Sequence, residues 1–221
     1  MLNIAHEIDE VCEYSFLWNQ NLMAKLHEVP KEQLLLQNAV RSKVEATINA
    51  IAPDLIVFYD HGSESELIGA DGNSCLDTDN VNLLSGREVY TMACLSAKTL
   101  GVEAWRQGCR AFWGYVEEFG FTLDDLDAFE ELAGLGLLAR LLQGMSWADA
   151  KKQVQDKANY LIDKAISEGN FSAAMLIREN TDALRVWDGE VPESQCSFRN
   201  FALKIFGRKR GWNILGGRTQ V

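Results

Sequence analysis

The chain has 221 residues, 47% hydrophobic and 10% aromatic, with three prolines; this fits one folded domain and excludes a disordered, collagen-like or disulfide-stapled chain. A formal charge of −11 argues against general nucleic-acid binding, which draws its affinity from displaced phosphate counterions. The longest apolar stretch, Leu132 to Met145, is interrupted by Arg140 and is too short to span a bilayer, so a cytoplasmic chain with no membrane partner is expected.

Residues 1–50 read as a helical N-terminal region, with strong helix formers and apolar residues three and four apart at Leu34, Leu35, Ala39, Val40, Val44, Ile48 and Ile51. Pro53 and Asp54 stop that pattern. Leu55 to Tyr59 is then a continuous β-prone run, predicted to be a strand buried on both faces and ending at Asp60-His61-Gly62. The turn-rich segment Gly69 to Ser74 predicts a hairpin or an excursion over the sheet edge. Glu88 to Cys94 is a second predicted strand, followed by a helix over Thr99 to Gln107 closed by Gly108, and a third strand over Cys109 to Val116. Strand, helix and strand in that order make a parallel crossover unit.

From Leu123 the chain reads as mainly helical, with Asp124, Asp125 and Asp127 suited to a helix N-terminus. Ser146 caps a long amphipathic helix that reaches Ser167, and Leu184 to Trp187 is a last strand. Val191 to Val221 carries six basic residues and one acid, about +5 against about −16 for the remainder. It reads as a solvated or self-docking tail, or as a partner-binding or autoinhibitory arm. The expected organisation is therefore a helical region at 1–50, an α/β core with a mostly parallel sheet at 51–190, and a basic tail at 191–221.

Five cysteines, Cys12, Cys75, Cys94, Cys109 and Cys196, are an odd number without close pairs and are expected to be free thiols. Two of the predicted strands deliver His61 and Cys94 to their C-terminal ends, the edge where open parallel sheets bind ligands. A thiol needs a nearby base to attack as thiolate, and histidine suits both that task and later donation to a leaving amine. Gly62 lets its N–H approach a reacting carbonyl, and the Cys94 N–H offers a second donor for an oxyanion. His6 and His27 fall in the region read as helical, which leaves His61 as the histidine at a strand end. Asp60 should point to the opposite face from His61 and has no assigned role. The bland reading is a turn histidine and a small buried cysteine. Trp105, Phe112, Trp113 and Tyr115 are expected to be core, with Trp113 or Tyr115 at most walling a groove.

The run Leu55-Ile56-Val57-Phe58-Tyr59-Asp60-His61-Gly62-Ser63 resembles the hydrophobic block and His-Gly of caspase-like (clan CD) cysteine peptidases, including gingipain, legumain and CHAT-domain members. Val89-Tyr90-Thr91-Met92-Ala93-Cys94-Leu95-Ser96 is similar to their second block, which ends in Ala-Cys, and the likeness to CHAT and gingipain-like members continues through Gly108 to Tyr115. The resemblance implies a three-layer α/β/α sandwich. It also implies a thiol protease, a hydrolase that cleaves peptide bonds through a thioester acyl-enzyme. Cys94 would be the nucleophile, His61 the acid and base, and Gly62 and Cys94 the oxyanion hole. No metal or cofactor is implied for catalysis. Family members line the primary pocket with the residue two before the cysteine, here Met92, and with the loop after the next strand, here carrying Glu117 and Glu118. Carboxylates there would favour Arg or Lys before the cleaved bond, unless they form only a solvated helix start. The partners implied are a protein or peptide substrate and, for control, a regulatory protein or a second copy. Members begin with one or two strands before the histidine strand, whereas this chain's first 50 residues read as helical. The rival readings are a catalytically silent caspase-like interaction or scaffold module and a flavodoxin-like small-molecule binder, for which no Gly-rich phosphate loop is present.

Overall fold

A computed structural model describes residues 1–188; the basic tail at 191–221 and Cys196 lie outside the described residues. Six strands form one sheet. They are β1 (Leu2–Ala5), β2 (Glu32–Leu35), β3 (Leu55–Tyr59), β6 (Glu88–Met92), β7 (Ala111–Tyr115) and β8 (Leu184–Asp188), in the order β2-β1-β3-β6-β7-β8. All neighbours are parallel except β8, which runs antiparallel to β7. A separate hairpin, β4 (Glu66–Ile68) with β5 (Ser74–Asp77), occupies the predicted excursion between β3 and β6.

Among the described residues there are six α-helices: α1 (Glu10–Lys25), α2 (Arg41–Ile51), α3 (Thr99–Arg106), α4 (Leu126–Leu142), α5 (Trp147–Ser167) and α6 (Phe171–Ala183). None is long and apolar enough to cross a membrane. The sheet alternates between two cores, as a strand's two-residue side-chain period requires. Leu55, Val57, Tyr59, Tyr90 and Trp113 join Trp18, Leu22, Phe129, Leu137 and Trp147 from α1, α4 and α5. Ile56, Phe58, Val89 and Phe112 instead join Val44 and Ile48 of α2 and Leu100 and Ala104 of α3.

Helix α4 sits very close to the sheet. A Cβ on Gly136 would meet Trp113 at 2.5 Å, and the Tyr59 and Tyr90 hydroxyls both donate to the Ala133 carbonyl, at 2.6 and 2.7 Å. Tyr90 stacks on both Trp113 and Trp147. Trp113 and Tyr115 are accordingly buried in this core rather than walling a groove.

The helical reading of residues 1–50 needs correction. Helices α1 and α2 are present, but β1 and β2 lie at the start and in the middle of the region, and Leu34 and Leu35 belong to β2 rather than to a helix. Four-residue strands are too short to display a period. Pairing with β1 overrides the helix-favouring composition Glu-Gln-Leu-Leu of β2. His6 therefore follows a strand directly and stands at the same sheet edge as His61.

Candidate functional site

Tyr59 pairs with Met92 at the ends of β3 and β6, and the Asp60 N–H reaches the Met92 carbonyl at 3.4 Å. Two residues further along each strand stand His61 and Cys94. Parallel partners in register project to the same face, and Tyr59 and Met92 both enter the core beneath α1 and α4. The two backbones touch beyond the last ladder pair, since a Cβ on Gly62 would lie 2.9 Å from the Cys94 carbonyl oxygen and 3.0 Å from Ala93 Cβ. Gly62 forms a bridge with Leu67 in which His61 and Ser63 make the hydrogen bonds, so its own N–H points away from β4. Neither the Gly62 nor the Cys94 N–H donates to a backbone carbonyl among the described residues.

The turn after Cys94 is pinned from several directions. Leu95 has a positive φ of 59°, a conformation unfavourable for a side chain with a Cβ. Ser96 Oγ donates to the Ala93 carbonyl and lies 2.8 Å from Thr91 Oγ1, while Leu95 N–H donates to Glu117 O and Ala97 N–H to Tyr115 O. The His61 side is braced against this turn, because the Glu64 carbonyl accepts the Thr99 and Leu100 N–H groups that open α3.

Cys94 is partly buried, and its sulfur accepts the Phe119 N–H at 3.4 Å. Burial pushes the thiol up and Glu118 adds to the effect, while the Phe119 N–H opposes it. The resting group is a thiol. Glu117 and Glu118 are exposed on the loop after β7, with the Glu117 carbonyl bonded to Leu95 N–H. Met92 does not share that exposure. Its side chain is only 7% accessible and packs in the core, so it does not line an open pocket.

Two acids not assigned from the sequence complete the geometry. Asp9 is the N-cap of α1. Its Oδ1 accepts the Cys12 N–H at 2.9 Å, and its Oδ2 accepts the His61 Nε2–H at 2.7 Å. The bond from His61, followed by that from Cys12 N–H, holds the Asp9 carboxyl down at about 2. Asp9 is thus ionised at neutral pH and can only accept, which assigns a proton to Nε2 of His61. Asp60, which the sequence left without a role, approaches the Cys12 sulfur: its Oδ1 accepts the His61 backbone N–H at 2.6 Å and the Cys12 S–H at 3.1 Å.

Beneath Asp60 lies buried His6, with Nδ1 2.9 Å from Asp60 Oδ2 and Nε2 2.8 Å from the Ile68 carbonyl. Both ring nitrogens face acceptors, which favours the imidazolium. Burial lowers the affinity of His6 for its second proton, but Asp60, the Ile68 carbonyl and Asp71 together outweigh it and the net shift is upward. Asp9, Cys12 and His61 also offer an oxygen, a sulfur and a nitrogen within 4.8 Å of one another, a set able to hold a metal ion. The sequence signal for Asp9 was its position as an Asp preceding the acidic first turn Glu10 and Glu13. No protein-family model matches the chain, and no curated protein matches it.

Proposed function

We propose that this chain is a caspase-like cysteine endopeptidase of three-layer α/β/α architecture, in which Cys94 attacks a peptide carbonyl with His61 as acid and base. The single observation that supports the reading is that β3 and β6 are adjacent parallel strands paired as far as Tyr59 and Met92, with His61 and Cys94 each two residues beyond that pair at the sheet's C-terminal edge. Asp9 fixes the His61 ring and its tautomer. On attack, the Cys94 proton moves to Nδ1 of His61 and a tetrahedral oxyanion forms between the Gly62 and Cys94 N–H groups. His61 then gives that proton to the leaving amine, and water hydrolyses the thioester. Because the thiol is raised, the thiolate forms with the attack rather than before it.

Glu117 and Glu118, exposed beside the nucleophile, support a preference for Arg or Lys before the cleaved bond, in a protein or peptide substrate. Four free thiols among the described residues suit a reducing compartment such as the cytoplasm. The raised, partly shielded thiol equally supports the rival reading of a silent caspase-like scaffold. Peptide-library cleavage by the wild type beside Cys94→Ala, with iodoacetamide labelling of each cysteine, separates the two. A peptidase cleaves after basic residues, loses that activity in Cys94→Ala, and alkylates fastest at Cys94 in a manner dependent on His61. No cleavage, with Cys94 no more reactive than Cys75 or Cys109, leaves the scaffold.

A further inference from the structure

The triad of unlike ligand atoms at the head of α1 is not needed in full by the reaction above. Asp9 and His61 are accounted for, but the Cys12 sulfur beneath them is not. Cys12 sits in the first turn of α1, 2% exposed, with its N–H on Asp9 Oδ1 and its S–H on Asp60 Oδ1. A carboxylate oxygen of Asp9, the Cys12 sulfur and a ring nitrogen of His61 lie within 4.8 Å of one another, and the Asp9 and His61 side chains are 50% and 39% exposed. A tetrahedral zinc-type ion has bonds of about 2.0 to 2.3 Å, which set its ligand atoms roughly 3.3 to 3.8 Å apart. Rotations that widen the Asp9–His61 contact and draw the sulfur in by about an ångström suffice, and the fourth position opens to water.

The surroundings favour such an ion. Asp9 and Asp60 flank Cys12, the charge of Asp60 being offset by buried His6 at 2.9 Å, and the first turn of α1 adds Glu10 and Glu13. The helix N-terminus opposes a cation with roughly half a charge, less than these carboxylates supply. Burial first, and then the Asp60 and Asp9 charges, hold the Cys12 proton in place. A divalent cation reverses that field, so the thiol proton leaves to solvent as the metal–sulfur bond forms. A sulfur, nitrogen and oxygen set selects thiophilic borderline ions over calcium or magnesium, which require oxygen ligands.

We propose that Asp9, Cys12 and His61 form a three-ligand site for a zinc-like divalent ion, which binds His61 in place of its contact with Asp9 and holds the chain inactive. The inactivation rests on the peptidase reading; the binding does not.

The test is titration of the metal-free full-length chain with Co(II), followed by competition with Zn(II). The expected result is one equivalent of tetrahedral cobalt with a thiolate-to-cobalt charge-transfer band that zinc abolishes. Cys12→Ser should lose the band, His61→Ala should weaken cobalt binding at least about tenfold, and Cys94→Ser should keep the band. His61 is half-exposed, so His61→Ala reports on the site even if Cys12→Ser folds poorly. Absence of the band in the wild type, its persistence in Cys12→Ser, or its loss in Cys94→Ser overturns the proposal. Peptide turnover is then measured with and without zinc, each variant against its own metal-free rate. Zinc should suppress the wild type reversibly, and a wild-type rate unaffected at a zinc concentration that fills the site overturns the inactivation. A chain with the cobalt band but no turnover would retain the metal site while removing the peptidase reading.

Discussion

Asp9 does two jobs with its two oxygens, one for the helix and one for the imidazole, and a single substitution can part them. Asn is as good an N-cap as Asp, so Asp9→Asn should keep the bond to Cys12 N–H and leave α1 intact. The neutral amide no longer compels a proton on Nε2, and under the proposed peptidase reading it gives no charge to the imidazolium that would form during attack. Turnover of the best library peptide should fall at least about tenfold, with the thermal midpoint unchanged within a degree or two. Equal turnover in Asp9→Asn and wild type would remove Asp9 from the reaction. The positions of Cys94 and His61 just beyond two strands of the sheet were legible in the sequence, because β3 and β6 are strongly β-prone runs. Asp9 was not, because the turn that carries it follows β1, and a four-residue strand at the chain start does not announce itself.

At the scale of elements, legibility followed length and punctuation. Strand β3 has its predicted bounds, α5 runs from the Ser146 cap to Ser167, and Gly108 with φ of 93° follows α3 as its composition requires. What composition could not express is the close seating of α4 on the sheet, which depends on a partner 23 residues away. Gly136 has no side chain where Trp113 leaves no room, the indole atoms standing 2.5 to 3.1 Å from the point an alanine Cβ would occupy. Gly136→Ala gains helix propensity of about 1 kcal/mol, yet the clash forces either the indole or the helix to shift, at about 1 to 3 kcal/mol. The clash should win, because Trp113 is held between Tyr90 and Trp147 and has nowhere to turn. Urea unfolding should therefore show Gly136→Ala less stable than wild type. An alanine variant of equal or greater stability would mean that α4 is free to lift.

For the whole described molecule, the buried His6–Asp60 contact is the point where β1, β3, α1 and the β4 hairpin meet. Asp60 receives Cys12 of α1 and the His61 backbone, while His6 reaches across to Ile68. Removing the cation leaves a buried carboxylate without its partner, and His6→Phe should cost about 3 to 5 kcal/mol. The pH dependence has a definite sign. The folded-state pKa of His6 lies above the ordinary value of 6.5, so its contribution is fully present below about pH 6.5. Above that the unfolded chain sheds the proton first, and the stabilisation disappears as pH rises through the raised folded value. His6→Gln can still donate to the Ile68 carbonyl but cannot take up a proton. Thermal midpoints compared from about pH 6 to about pH 9 should converge as the wild type loses its advantage. Curves that stay parallel would show that His6 is neutral in the folded chain, and that Asp60 is held by its Cys12 and His61 donors alone.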